Sequence, residues 1–413
     1  MRRVLVVGGG AAGMAAAVAA VEQGVQVLLL EKGRQPGTKL NITGKGRCNL
    51  TNDCDVDELI RNVPRNGRFL FSAFRRFSAQ DAMAFFEGLG VPLKTERGRR
   101  VFPQSDNARD VSGALKNRLR RLGVPIERGR AVEILTEQGR ARGVLLQDGR
   151  RMEADGVILA AGGLSYPTTG SDGDGYAMAA ALGHKIEPPV PSLIWLKTKE
   201  KDPAQLEGLS LRNTAATLWQ GKKKIYSDFG ELVFTRQGVS GPVILSASAH
   251  ICRRLPEQEF RLELDLKPAL DLQTLDKRLL RDFEQTINRD LINALSGLLP
   301  AKMIPTIVDR SGIDPRKKVH DISKEERAAL CGLMKRFSLT ICAAGPIEEA
   351  IVTSGGVSVK EIDPRTMESK LVSGLFFAGE IIDVDGYTGG FNLQIAWSTG
   401  FAAGRAQTQE DGT

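Results

Sequence analysis

Val4-Leu5-Val6-Val7-Gly8-Gly9-Gly10-Ala11-Ala12-Gly13, an alanine-rich run, and then Val25-Gln26-Val27-Leu28-Leu29-Leu30-Glu31 form the stretch on which the fold of this 413-residue chain turns. The first apolar run reads as a buried strand, the alanines as a helix stopped at Gly24, and the second apolar run as a second strand. Strand, helix and strand in this order make a parallel βαβ unit. Gly8 permits the tight turn out of the strand, Gly10 lets the backbone approach a pyrophosphate, and Gly13 lets the helix pack close to the sheet. The unpaired N–H groups at the helix start, around Ala11 and Ala12, point at the phosphates. Glu31 ends the second strand where a carboxylate accepts hydrogen bonds from ribose hydroxyls. A merely glycine-rich turn needs none of this order, so the stretch is read as a dinucleotide site.

A second motif lies near the other end of the chain. Leu375-Phe376-Phe377-Ala378-Gly379-Glu380 reads as a buried strand ending in a glycine and a carboxylate, suited to the hydroxyls of a ribityl chain. Gly386-Tyr387-Thr388-Gly389-Gly390-Phe391-Asn392-Leu393-Gln394 then opens a helix rich in small residues. Its free N–H groups suit the pyrimidine edge of a flavin, where negative charge gathers on reduction. A nicotinamide dehydrogenase needs no such distal element, so the pair favours FAD over NAD. Gly238-Val239-Ser240-Gly241 lacks the first glycine and the following acid of a second fingerprint. NAD(P)H is therefore expected as a transient electron donor at the flavin.

Between these ends, the expected class is α/β. A Rossmann-like FAD-binding domain spans 1–190 and 345–413, with a mainly helical excursion at 55–122 that breaks at Pro92 to Pro103. An inserted α+β domain spans 191–344, β-rich at 192–266 and helical at 271–338, where Leu275, Leu279, Phe283 and Ile287 recur at helical spacing. A strand is expected near 125–135, then a hairpin turning at Gln138-Gly139, a turn at Asp148-Gly149, and a buried strand over 156–161 running into Gly162-Gly163.

Composition bounds the function. Hydrophobic residues at 42% and charged residues at 26% describe an ordinary globular chain. No run approaches the roughly 18 uninterrupted apolar residues of a membrane span. The Arg2-Arg3 start followed by apolar residues has the plan of a secretory signal, but the immediate βαβ completion argues against one. Five cysteines form no CxxC and leave an odd count, which fits reduced thiols in the cytoplasm. The three histidines lack metal-ligand spacing, so no metal site is expected.

The net charge of +8 is uneven. Arg61, Arg65, Arg68, Arg75, Arg76, Arg97, Arg99, Arg100, Arg109, Arg118, Arg120, Arg121, Arg128 and Arg130 fall in one segment. That segment reads as a solvated basic face or as the footprint of a polyanion such as RNA. Phe69, Phe71, Phe74 and Phe77 interleave with it and are read as core.

Three segments carry a more specific likeness: Gly44-Lys45-Gly46-Arg47-Cys48-Asn49; Gly163-Leu164-Ser165-Tyr166-Pro167 with Gly170 to Tyr176; and the run from Gly379 to Gln394. Over its whole length the chain resembles the bacterial BaiN/RdsA flavoproteins, also called aminoacetone-oxidase-like FAD-binding enzymes. The resemblance implies a glutathione-reductase-like FAD fold interrupted by a β-barrel-like and helical insert. It also implies one of two activities: reduction of conjugated carbon–carbon double bonds in bile-acid intermediates, or formation of dihydrouridine in ribosomal RNA. The segment from Tyr166 to Tyr176 is more similar to the bile-acid side. Alongside the residues above, the implied cofactor contacts include Lys32, Lys39, Gly44, Arg47, Cys48, Asn49, Val132, Ala160, Gly162, Asp383 and Gly390.

The chemistry then expected is hydride transfer from reduced flavin to an electron-poor carbon, with charge building on a carbonyl oxygen and a proton completing the reduction. Arg47 and Tyr387, on loops expected to converge near the flavin, are the candidate catalytic residues. The plainer roles are pyrophosphate binding for Arg47 and packing for Tyr387. Cys48 is a candidate proton donor or reactive thiol, against the commoner outcome of an inert buried cysteine. The expected substrate is a small molecule. Ribosomal uridine and a non-catalytic FAD-binding role are the alternatives.

Overall fold

The computed structural model of the protein describes residues 1–408. At its centre lies a five-stranded sheet ordered Leu375–Phe377, Gly156–Leu159, Arg3–Val7, Gln26–Glu31 and Ile126–Arg128, and every pairing is parallel. Val4 pairs in register with Gly156 on one side and with Val27 on the other. Strands buried on both faces account for apolar runs that do not alternate. Leu5, Val6, Leu29, Leu30 and Ile158 are all fully buried, each contributing about 1.5–3 kcal/mol of transfer free energy.

The helix Ala11–Val21 is buried from Ala12 through Ala20. Its small side chains let the C-terminal helix, Phe391–Arg405, cross it almost backbone to backbone. A Cβ on Gly400 would sit 2.5 Å from the Ala12 carbonyl oxygen, and one on Gly404 would sit 2.4 Å from that of Ala16. The alanines of one motif and the glycines of the other are thus two halves of a single packing requirement.

The chain divides into two compact units. One comprises Met1–Ser192 together with the chain from Pro346 onward, and the other Leu193–Gly345. In the second unit six strands close into an antiparallel barrel, in the order Leu196–Thr198, Gly238–Ser240, Lys223–Thr235, Ser210–Gln220, Phe260–Asp265 and Phe337–Ala344. Phe260, Leu262 and Leu264 are buried while Arg261 between them is exposed, the alternation a barrel wall requires.

Several local expectations need correction. Phe337–Ala344 is a barrel strand, although 271–338 reads as helical; the helix Lys324–Lys335 ends only two residues before it. Ile287 lies beyond the helix Leu272–Glu284 and is 53% exposed, while Leu275, Leu279 and Phe283 are buried. The strand expected over 125–135 is two strands. Ile126–Arg128 edges the parallel sheet, whereas Ala131–Glu137 pairs with Arg140–Leu146 in a separate antiparallel sheet. They part at Gly129, where a Cβ would press on Leu30 and Leu146. The break expected at Pro92 to Pro103 within the helical excursion is filled by an antiparallel pair, Leu93–Glu96 with Arg100–Pro103. Phe74 and Phe77 are core, but Phe71 is exposed beneath the Arg75 guanidinium. Among the described residues no helix is long and apolar enough to cross a membrane, and no group of three or more His, Cys, Asp or Glu side chains is placed to hold a metal ion.

Candidate cofactor and substrate site

The three glycines of the first turn differ in what surrounds them. Gly8 has φ +105°, and a Cβ there would lie 2.4 Å from the carbonyl oxygen of Ala160, at the end of the neighbouring strand. At Gly13 a Cβ would fall 1.8 Å from the Gly8 oxygen. Both are demanded by protein packing. Around Gly10, by contrast, a Cβ would meet no atom within 4 Å. Gly10 caps the helix Ala11–Val21 with no side-chain hydrogen bond and no acid in the first turn. Those N–H groups, the positive end of a helix of eleven residues, border open space, which suits a pyrophosphate.

Glu31 is aimed from the second strand toward this turn. Its oxygens accept hydrogen bonds from Gly9 N at 2.8 Å and Gly33 N at 2.6 Å, which fixes the carboxylate while leaving lone pairs for a ribose. Val132 is 45% exposed, an uncovered apolar side chain at the start of its strand. Lys32 differs from a free phosphate ligand: its ammonium is bound by Asp172 and Asp174, and Arg130 joins the same carboxylates.

The distal motif meets the first at Gly379. With φ +77°, it brings the chain so close to the nucleotide turn that a Cβ would lie 2.7 Å from the Ala12 methyl. Two stretches from opposite ends of the sequence thereby form one surface. The Glu380 carboxylate accepts from Lys39 Nζ at 2.6 Å, Ser165 Oγ at 2.9 Å and Thr353 N at 2.8 Å. Lys39 and Glu380, both read as cofactor ligands, therefore neutralise one another. Gly162 lies on the adjoining loop, against Ser171.

The loops of Asn49 and Gly390 also converge. With its amide oxygen toward Gly390 N (3.0 Å), Asn49 donates to Thr51 and Val101 carbonyls; Asn52 Nδ2 donates to Gly389 O at 3.0 Å. Gly44 abuts Asn49 N. Side chains expected at the flavin are committed to scaffold here. Asn392 bridges Gly386 N, Gly386 O and Tyr387 O. Gln394 is fully buried among Thr51, Phe77 O and Ser398. Leu393 is half-buried against the core. What these motifs leave exposed to a dinucleotide is chiefly main chain.

Arg47 is held by the Glu96 and Asp106 carboxylates and stacks on the Phe102 ring at 4.2 Å; its bond holds Glu96 below the usual carboxylate range, and bonds from Lys94 and then Arg47 do the same for Asp106. Its charge is compensated in place. Cys48 is fully buried, and burial pushes its thiol up to about 12 although a Thr43 hydrogen bond opposes the shift. A thiol so protonated is no nucleophile near neutral pH. Tyr387 lies half-buried in the loop, its N–H donating to Asn62 O at 2.9 Å.

Two neighbouring carboxylates have partners that the sequence does not name. Asp383, expected as a cofactor ligand, is gripped in a fork by Arg65 Nε and Nη2, the latter at 2.7 Å, and by Asn66 Nδ2 at 2.9 Å. Asp385 is 1% exposed, accepts from Ser192 Oγ at 2.7 Å through Oδ2, and leaves Oδ1 without a partner. Burial pushes its carboxyl upward. The alternation Asp383-Val384-Asp385 was the only available signal, and it does not name a partner.

Comparison with known proteins follows the same outline. The family described as HI0933-like protein Rossmann domain matches residues 2–406. The chain is 35% identical over 412 residues to the 3-dehydro-bile acid delta(4,6)-reductase of Clostridium scindens, covering 99% of this chain and 100% of the relative. It is 30% identical over 403 residues to the ribosomal RNA dihydrouridine synthase of Haemophilus influenzae, covering 96% of each. Among solved structures, the 3-ketosteroid-delta4-(5alpha)-dehydrogenase of Rhodococcus jostii shares the fold at a TM-score of 0.54 and 17% identity, covering 99% of this chain and 97% of that one.

Proposed function

The chain belongs to the HI0933-like family, and on that premise we propose that it is an FAD-dependent oxidoreductase that reduces an activated carbon–carbon double bond of a small molecule, with NAD(P)H as electron donor. The observation that carries the reading is the uncapped, open helix start at Gly10 lying against Gly379, a cradle built from both cofactor motifs. Its shape suits the centre of a long dinucleotide. Bound FAD would supply the hydride chemistry. The protein's part is to hold pyrophosphate on main-chain N–H groups, ribose on Glu31, and the flavin end beside the loops of Asn49 and Gly390. Arg47 and Tyr387 stay proposed as aids to the oxidative step, Arg47 only if it leaves Glu96 and Asp106. We read the unit containing Met1–Ser192 as the FAD-binding domain and Leu193–Gly345 as an insert. A cytoplasmic setting fits cysteines that form no disulfide among the described residues.

The substrate class rests on the full-length likeness to a reductase whose name specifies a 3-oxo bile acid with conjugated double bonds. Formation of dihydrouridine in ribosomal RNA is the second reading, favoured by the synthase relatives and the arginine-rich segment. Against it, several of those arginines already face carboxylates: Arg99 with Glu58, Arg118 with Glu22, and Arg130 with Asp172 and Asp174. The deciding experiment is anaerobic reduction by NADH or NADPH followed by mixing with 4-androstene-3,17-dione or with unmodified ribosomal RNA. Reoxidation by the dione supports the small-molecule reading; reoxidation by RNA alone, with binding that falls steeply with salt, supports the other.

A further inference from the structure

The proposed reduction needs a cation or hydrogen-bond donor where negative charge gathers on the substrate carbonyl. Arg47, the arginine that sequence spacing suggests, is enclosed by two carboxylates and a phenyl ring. Arg65 is arranged differently. Nε and Nη2 face the two oxygens of buried Asp383, and Asn66 Nδ2 holds the same carboxylate. Only one side of the guanidinium is used in this way, Nη1 has no hydrogen-bond partner among the described residues, and the side chain is 30% exposed. A fork fixed on one side and open on the other is preorganised to bind a second group.

Its surroundings place it beside the flavin loops. Arg65 forms a backbone bridge with Asp385, two residues before Tyr387, and Tyr387 N donates to Asn62 O at 2.9 Å. The second acid nearby does not compete for the open edge. Asp385 is turned to Ser192 and Ser354, and burial favours its neutral form. Among the described residues Asp383 is the one acid bonded to the Arg65 guanidinium, with Asp385 and Glu187 attracting it only through space, whereas Arg47 is bonded by two.

We infer that Arg65 is the residue that receives the carbonyl oxygen of the substrate and stabilises the enolate formed on it, with Asp383 as its positioning residue. This rests on the reductase reading above. A hydride, whose two electrons come from NAD(P)H by way of the bound cofactor, adds to the β-carbon of the enone; the C=C π pair becomes a double bond between the α-carbon and the carbonyl carbon, the C=O π pair goes onto oxygen, and a proton from solvent later adds to the α-carbon as the C=O re-forms. Arg65 makes and breaks no covalent bond; its Nη1 hydrogens meet the oxygen as it becomes negative. The substrate class that fits is a conjugated ketone with its carbonyl near the flavin.

The test compares wild type with Arg65→Gln and Arg65→Lys as holoenzymes, after FAD content and melting temperature are measured. Reduction by NADPH should proceed as in wild type, while reoxidation by 4-androstene-3,17-dione should slow about 10²–10³-fold in Arg65→Gln, the usual loss for one oxyanion donor. Arg65→Lys keeps charge but not the fork and should fall between. Estrone, whose phenolate resembles the enolate, gives a readout free of turnover. Wild type should bind it with the phenol acidified, and Arg65→Gln should bind it as the neutral phenol. Wild-type reoxidation and phenol ionisation in Arg65→Gln would overturn this role alone. Equal slowing of both half-reactions with loss of FAD would make Arg65 purely structural. Failure of reduced wild type to pass electrons to either the dione or RNA would overturn the reductase reading itself.

Discussion

Replacing Gly10 with valine separates cofactor binding from folding. Gly10 has φ −76° and ψ −169°, an extended conformation that a β-branched residue adopts readily, and a Cβ there meets nothing within 4 Å. The apoprotein should therefore change in stability by no more than about 0.5 kcal/mol, and restricting the unfolded chain acts in the stabilising direction. The isopropyl group would instead stand in front of the first-turn N–H groups. A hydrogen bond to a charged group contributes about 1.5–3 kcal/mol, so losing two from a pyrophosphate costs about 3–6 kcal/mol. At 1.4 kcal/mol per decade this raises the Kd for FAD roughly 10²–10⁴-fold. Gly13→Ala is the matched control. Its methyl would lie 1.8 Å from the Gly8 oxygen, so the helix must shift, and the fold should lose about 1–3 kcal/mol. The assay pairs apoprotein melting with titration of FAD. Gly10→Val with wild-type affinity, or one that melts below Gly13→Ala, would show that this turn is not an open phosphate site.

Glu31→Ala should weaken FAD by about 1–3 kcal/mol, because ribose acceptors vanish and Gly9 N and Gly33 N lose theirs; titration of the apoprotein measures it. Cys48 should resist iodoacetamide at pH 8 in the native protein and react once unfolded, since its thiol is pushed up to about 12; rapid native alkylation mapped to Cys48 by mass spectrometry would contradict this. Asp385 carries a raised folded pKa, so its neutral burial favours the fold below the unfolded value, near 3.8, and this contribution is lost as pH rises through the folded value. Asp385→Asn should accordingly gain melting temperature over wild type as pH is raised from 5 to 8, and a gain that shrinks over that range would reverse the sign assigned here. For the loop candidates, slower reoxidation by enone in Arg47→Ala or Tyr387→Phe at normal FAD content would establish a role, and wild-type rates would dismiss it.

How much of this could be read from the chain depends on the range of the interaction. Gly8, Gly10 and Gly13 act within one turn, so their spacing conveys the strand, the helix and the open cradle between them. The buried strands Gly156–Leu159 and Leu375–Phe377 were legible because burial on both faces leaves continuous apolar runs. Partners across the fold were not. Nothing local to Lys39 names Glu380, nothing near Gln394 names Thr51, and Arg47 gives no sign of Glu96 and Asp106. Arg65 was hidden in a run of arginines because a fork on a buried carboxylate depends on a residue more than three hundred positions away. The final barrel strand was missed because it follows a well-formed helix within two residues, and helical spacing carried the reading past its end.

A single turnover of the holoenzyme reads out both the cofactor and the reaction. The purified holoenzyme is reduced anaerobically and mixed with one equivalent of 4-androstene-3,17-dione, while flavin absorbance and the conjugated enone are followed together. A flavin-dependent reductase of activated double bonds should reoxidise with loss of one enone per FAD, and denaturation should then release FAD. A flavin that stays reduced while the enone persists, or a released nucleotide other than FAD, would contradict that function.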